Sequence, residues 1–256
     1  MADSVDEIRR KVALSCRILA MTGLLKETTG HVSARIPGTN EMFIRGRGDE
    51  ETGLLFTGEA EVLRVDFDGN GVPLDAPVGT PNELPIHGEI YKARAEVGCV
   101  VHAHPPGTLL CGIAGVELRP IFGAYDPSAM NLALDGVPVF PRAITLTRPE
   151  DVWPMIELMR GKEVCLMRGH GITVTGTTVE QSTVRAIKLE TLARVCWQAA
   201  QHGHVPEIAA EDVEVFRTRG FGRPRRRDEP VWNYYVALLE QRGLLLADPV
   251  LGIDIG

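Results

Sequence analysis

The stretch that decides the fold is Cys99-Val100-Val101-His102-Ala103-His104-Pro105-Pro106. Apolar residues lead into a histidine, a small residue and a second histidine, and two prolines close the run. The apolar lead reads as a short buried strand, and the prolines as the entry to a helix over residues 106–114. Alternation along a strand puts His102 and His104 on one face, so both imidazoles reach one point at the strand's carboxyl end. That end is where α/β folds place their sites.

Working outward, strands and helices are mixed. On the amino-terminal side, residues 5–22 carry Val5, Ile8, Val12, Cys16 and Leu19 at helical spacing and stop at Gly23. His31 to Ile36 alternates as a strand, with Met42 to Arg45 as its partner. Leu54 to Thr57 and Val62 to Phe67 also read as strands, and Asp68-Gly69-Asn70-Gly71 as a hairpin turn. A helix opens after Thr80-Pro81, with Asn82 able to cap it and Pro85 in its first turn. On the carboxyl side, strands are expected at 137–140 and 164–167, and helices at 149–159, 177–201 and 231–244. The stretch between the last two helices reads as a linker that includes Arg223-Pro224-Arg225-Arg226-Arg227. The class is α/β (α+β), a central sheet with helices on both faces. Residues 1–210 are expected to form one catalytic domain. Residues 211–256 are expected to add an extension with one helix, packed on that domain or on a neighbouring subunit.

Composition agrees with an ordinary globular chain. Of 256 residues, 44% are hydrophobic and 24% charged, so whole-chain disorder and coiled coil are excluded. The net charge of −7 argues against nucleic-acid binding. No apolar run is long enough to span a bilayer, and the charged amino terminus is not a signal peptide. The five cysteines are odd in number, widely spaced and without a CxxC pair, which fits free thiols in a reducing, cytoplasmic setting.

His170 lies between Gly169 and Gly171 at the end of another apolar strand. Three neutral imidazoles with one carboxylate make a normal set for a divalent transition metal. Glu83 is the natural carboxylate, although from spacing alone it reads as a helix-capping acid. His87 follows one turn later on the same face, as a supporting partner or a surface residue.

The string Asn82-Glu83-Leu84-Pro85-Ile86-His87, then Tyr91-Lys92-Ala93-Arg94, then Val100 to Pro105, resembles the class II aldolase/adducin family. Gly30-His31-Val32-Ser33-Ala34-Arg35 is similar to its amino-terminal signature, and Arg168-Gly169-His170-Gly171 to its third-histidine motif. The resemblance implies a nine-stranded sheet, a divalent metal (manganese or zinc, with iron or cobalt as alternatives) on His102, His104 and His170, and Glu83 as ligand or acid/base. It also implies a homotetramer with sites at subunit interfaces. Tyr125 stands near the place of a tyrosine that acts across that interface, but the local match is loose and a packing role fits as well.

Departures from the family narrow the function. Sugar-phosphate members cradle a phosphate with hydroxyls and backbone amides. Here His31 replaces a small residue, the loop carries Arg45 and Arg47, and Pro81 and Asn82 precede Glu83. Arginine forks suit planar carboxylates; solvated charges balanced by Asp49, Glu50 and Glu51 are the other reading. The sequence looks most like the branch that decarboxylates hydroxylated aromatic dicarboxylates. On that reading His31 joins Glu83 in catalysis, and His31, Ser33, Arg45, Arg47 and Asn82 hold a small aromatic carboxylate. An aldolase, epimerase or dehydratase of a sugar phosphate is one alternative. An iron-dependent oxygenase acting on a hydroxyphenylpyruvate is the other. The aromatic cluster Trp232, Tyr234 and Tyr235 is expected to face a neighbouring subunit or close a pocket.

Overall fold

The computed structural model describes residues 3–219 and 228–246. Its centre is a seven-stranded sheet in the order β3-β2-β1-β4-β7-β6-β5. The strands are β1 (His31–Arg35), β2 (Glu41–Arg45), β3 (Val62–Asp66), β4 (Cys99–Ala103), β5 (Val139–Phe140), β6 (Val164–Met167) and β7 (Gly171–Gly176). Every pairing is antiparallel except β5 with β6. The nine strands expected from the family resemblance are therefore seven among the described residues. The fold class is as expected, α/β with a mixed sheet.

The helices are α1 (Val5–Met21), α2 (Leu84–Ala93), α3 (Pro106–Ala114), α4 (Pro127–Asn131), α5 (Pro149–Leu158), α6 (Val179–Ala200), α7 (Ala210–Arg219) and α8 (Asp228–Gln241). Side chains alternate across the sheet and divide the core in two. Val32, Phe43, Val101 and Val174 pack with α1, α3, α6 and α8 on one face. Met42, Ile44, Val100 and Cys165 pack with α2 and α5 on the other. Capping fixes the helix starts: Ser4 accepts from the Glu7 N–H, and the Glu7 carboxylate returns to the Ser4 N–H, a reciprocal box at α1.

Several sequence expectations are corrected. Leu54–Phe56 is a 3₁₀ turn, not a strand. Residues 68–71 form a turn tied down by Asp66, which accepts from the Asp68 and Asn70 N–H groups, but no return strand follows. Asn82 does not cap α2: it is exposed, and Glu83 holds the N-cap position without a side-chain capping bond. Among the described residues two helices follow residue 209 where one was expected. α7 buries no residue, whereas α8 joins the core through Trp232 and Leu239. Tyr234 is exposed and meets Tyr235 edge-on. The arginines at 223, 225, 226 and 227 lie outside the described residues. All five cysteines are free and buried, as expected. No helix among the described residues is long and apolar enough to cross a membrane.

Candidate metal centre

β4 lies mid-sheet, between β1 and β7. Its register sets His102 opposite His31 on one side and opposite Thr173 on the other. His102 points to the face covered by α2 and is fully buried. His104 follows just past the strand end, and its N–H donates to the Leu24 carbonyl. His170 sits in the tight turn between β6 and β7. Two glycines hold this end of β4, Gly30 just before β1 and Gly171 at the start of β7. Gly30 has φ +94°, and a Cβ there would lie 2.9 Å from the His102 carbonyl oxygen. A Cβ on Gly171 would overlap the Ala103 carbonyl and come within 2.7 Å of the His104 ring. Only glycine permits both approaches.

Glu83 completes the cluster. One carboxylate oxygen accepts from the Leu146 N–H at 2.8 Å. The other lies 3.3 Å from His102 Nε2 and 3.5 Å from His170 Nε2. His102 Nε2 and His104 Nε2 are 3.0 Å apart. One ligand atom from each of the four residues falls within 4.8 Å of all the others. Spacings of this size separate neighbouring ligands around a single divalent ion bound at about 2.1 Å. Two ring nitrogens facing each other beside a carboxylate have lone pairs that a cation, not a neutral contact, would satisfy. The four residues therefore fit a divalent metal, and Glu83 serves the cluster instead of capping α2.

Two opposing effects set the charge state of Glu83. Burial does push its carboxyl up, but the hydrogen bonds and charge interactions with His102 and His170 outweigh burial, and the net shift is downward. Glu83 thus rests as a carboxylate. His104 is pushed down to about 3 by burial and by His102 and His170, which keeps it neutral as a ligand must be.

His31 stacks on His102 with ring centroids 5.1 Å apart. The Nδ1 atoms of His102 and His170 are buried without a hydrogen-bond partner among the described residues, so the polar contacts of these rings are made at Nε2, toward Glu83. Behind His31 runs a buried chain. His31 Nδ1 meets His87 Nε2 at 2.7 Å, His87 Nδ1 meets Ser33 Oγ at 2.6 Å, and Ser33 Oγ meets the Tyr91 hydroxyl at 2.7 Å. Ser33 is fully buried in this chain, which corrects its expected place against substrate. His87 is likewise interior, not a surface residue.

The two arginines separate. Arg45 follows Phe43 onto the α1 face of the sheet, across from His31, close enough to Cys16 to act on its thiol. Only 1% of its side chain is exposed, and it pairs with buried Glu51. It is a structural ion pair and does not join His31. Arg47 is partly exposed and shares Glu51 at 3.6 Å. Its backbone pairs with Gly79, four residues before Glu83, and its guanidinium reaches Thr28. Tyr125 is 75% exposed with its ring against Phe122, outside the histidine cluster in this single chain. A recess of about 540 Å³, lined by Leu25, Glu27, Thr52, Phe56, His104 and Pro106, opens beside the cluster. Its volume is that of a small-molecule site.

Sequence reasoning missed Glu190. This buried α6 carboxylate accepts from the Gly107 and Thr108 N–H groups at 2.9 and 3.0 Å, capping α3 directly after the His-Ala-His-Pro run. The signal was present: Glu190 lies three residues after Ile187 and three before Ala193, on the apolar side of the helix.

Comparison with known proteins places this arrangement. Residues 10–197 match the class II aldolase and adducin N-terminal domain. A 3,4-dihydroxyphthalate decarboxylase of Arthrobacter keyseri is 40% identical over 198 residues, covering 76% of this chain and 79% of that protein. A 3,4-dihydroxyphthalate decarboxylase of a Terrabacter species is 38% identical over 233 residues, 90% of this chain and 95% of that protein. An aldolase II superfamily protein from Pseudomonas syringae has the same fold, with a TM-score of 0.81 at 22% identity, covering 97% of this chain and 98% of that one. With its glutamate and three histidines gathered at the end of a central strand, the chain belongs to the class II aldolase and adducin family.

Proposed function

We propose that the protein is a metal-dependent, non-oxidative decarboxylase of a hydroxylated aromatic dicarboxylate of the 3,4-dihydroxyphthalate kind. The observation that carries this reading is the 38–40% identity to two decarboxylases of that substrate over most of the chain. It is joined by a second feature: His31, not a small residue, stands beside the metal cluster, and no hydroxyl precedes Glu83 at positions 81 and 82. A phosphate cradle is missing there, which disfavours a sugar-phosphate substrate.

Expelling carbon dioxide directly would leave an electron pair in the ring plane, where it cannot delocalise. Protonating the carbon that bears the carboxylate avoids this, with electron push from an ortho hydroxyl. Glu83, His102, His104 and His170 would hold a divalent cation, which would supply a Lewis acid that favours the ionised hydroxyl. Manganese or zinc suits this role, and the donor set also admits iron or cobalt. Glu83, resting as a carboxylate, accepts the hydroxyl proton and returns it to the ring carbon. The carbon–carbon bond then breaks, carbon dioxide leaves, and the phenolate product takes one proton from solvent. His31 and Arg47 hold the carboxylates.

The same reading includes a cytoplasmic homotetramer. Its support is the set of five free thiols and the exposure of large side chains at Phe56, Ile113 and Tyr125. Tyr125 then faces the site of a neighbouring copy.

The test is incubation of metal-replete protein with 3,4-dihydroxyphthalate in heavy water. The expected result is one carbon dioxide and a dihydroxybenzoate carrying one deuterium at the vacated position. Oxygen uptake in step with product, or cleavage of a ketose phosphate in place of decarboxylation, would overturn the proposal.

A further inference from the structure

The chain from His31 to Tyr91 has a direction, and proton counting finds it. Neutral His31, His87, Ser33 and Tyr91 each carry one exchangeable side-chain proton, four in all. The three hydrogen bonds that join them use three. The fourth proton must sit at one end: on His31 Nε2, or on a Tyr91 hydroxyl turned away from Ser33.

The Tyr91 end rejects it. Tyr91 is buried, and Ser33 is its one hydrogen-bonded side chain among the described residues. Its hydroxyl makes no hydrogen bond to any other acceptor among the described residues. A hydroxyl proton turned away from Ser33 would be buried with nothing to receive it. The Tyr91 hydroxyl therefore donates to Ser33, Ser33 to His87 Nδ1, and His87 Nε2–H to His31 Nδ1. The His31 end accepts the spare proton. Among the described residues its Nε2 has no hydrogen-bond partner, and the atom keeps contact with solvent on a ring stacked against His102.

We propose that Tyr91, Ser33 and His87 are positioning residues that hold neutral His31 in the tautomer with the proton on Nε2, so that His31 meets substrate as a hydrogen-bond donor to a carboxylate. The choice of carboxylate rests on the decarboxylase reading; the tautomer does not. The chain is a dead end and cannot recharge His31 with protons. Tyr91 has no route to solvent, and burial holds its hydroxyl well above the ordinary range. His31 thus binds and orients, while the proton that reaches the ring travels elsewhere.

The test is nitrogen-15 NMR of histidine-labelled, zinc-loaded protein, zinc being diamagnetic, without substrate. Wild type should show His31 protonated at Nε2 alone. Ser33→Ala should give a mixture of both His31 tautomers, because either orientation of His87 then leaves one of its ring nitrogens unpaired. Tyr91→Phe should shift His31 in the same direction by less. For 3,4-dihydroxyphthalate, Ser33→Ala should raise KM about twofold to tenfold with a smaller change in kcat. A wild-type His31 protonated at Nδ1, or a folded Ser33→Ala or Tyr91→Phe protein with an unchanged His31 tautomer, would refute the proposal. Because the NMR arm uses no substrate, failure of the decarboxylase reading would leave its result standing.

Discussion

His31 and His102 face each other across the β1–β4 ladder, with their rings stacked 5.1 Å apart. One ring belongs to the metal cluster and the other to a buried polar chain. The stack is where the four-residue cluster that fits a divalent metal meets the hydrogen-bonded chain running back to Tyr91.

The cluster predicts a metal requirement residue by residue. His102→Ala and His170→Ala should each reduce bound metal from about one per chain to near zero and activity by at least about a thousandfold, while circular dichroism stays native. Glu83→Gln should retain the Leu146 contact but lower kcat by about 10² to 10⁴ through loss of the base. Elemental analysis beside activity checks all three, and full metal occupancy in either histidine variant would remove the assignment.

Gly171→Ala should be costly for so small a change. Its Cβ would overlap the Ala103 carbonyl, forcing β7 from β4 just where His104 leaves the strand. Overpacking of this kind costs about 1–3 kcal/mol. The melting temperature should fall by about 3–10 °C, and metal affinity should drop with it. Calorimetry and metal titration of the same variant measure both.

The two arginines should respond in opposite ways. Arg45→Met leaves the buried Glu51 carboxylate with only its longer contact to Arg47, and breaking a buried pair costs up to about 3–5 kcal/mol. Arg47→Ala removes a partly exposed side chain and should change stability by only about 0.5 kcal/mol, yet raise KM for a dicarboxylate about tenfold. Urea unfolding and steady-state kinetics on the pair separate structure from binding.

His87 gives a pH dependence. Burial, followed by the charge of His102, pushes its imidazole down to about 3 in the folded chain, against about 6.5 unfolded. Between those values the unfolded chain binds the extra proton, so stability is unaffected above about pH 6.5 and falls as the pH drops towards 3. At pH 4.5 the loss should be roughly 2–3 kcal/mol. His87→Gln, which cannot titrate, should lose that much less between pH 7 and 4.5 in denaturant melts of chelated protein. Equal losses in the two proteins would contradict the assignment.

The parts of this site that were legible in the sequence are those written in short local patterns. The His102/His104 spacing, the glycine-flanked His170 and the acid before the Pro85 turn needed only a strand, a tight turn and a helix start. The rest depends on partners far away along the chain. Glu83 is turned from the helix end toward His102 and His170, with the N–H of Leu146, 63 residues on, holding its other oxygen. The role of Ser33 is fixed by α2, and that of Arg45 by which face of β2 it takes. β7 escaped notice because Gly171 and Gly176 read as punctuation at both ends of a six-residue strand. α7 escaped because it buries no residue and so shows no apolar stripe.

The place of β4 has a consequence for the order in which the chain assembles. Its two ladders join segments about seventy residues away in each direction, and such distant pairings form slowly because the loops must close first. Glu83 arrives with α2, His170 only with the β6–β7 turn. The four side chains of the cluster therefore come together only after the middle of the sheet has closed on both sides. A metal bound there would enter late, as a lock on a finished core rather than as the seed around which folding begins.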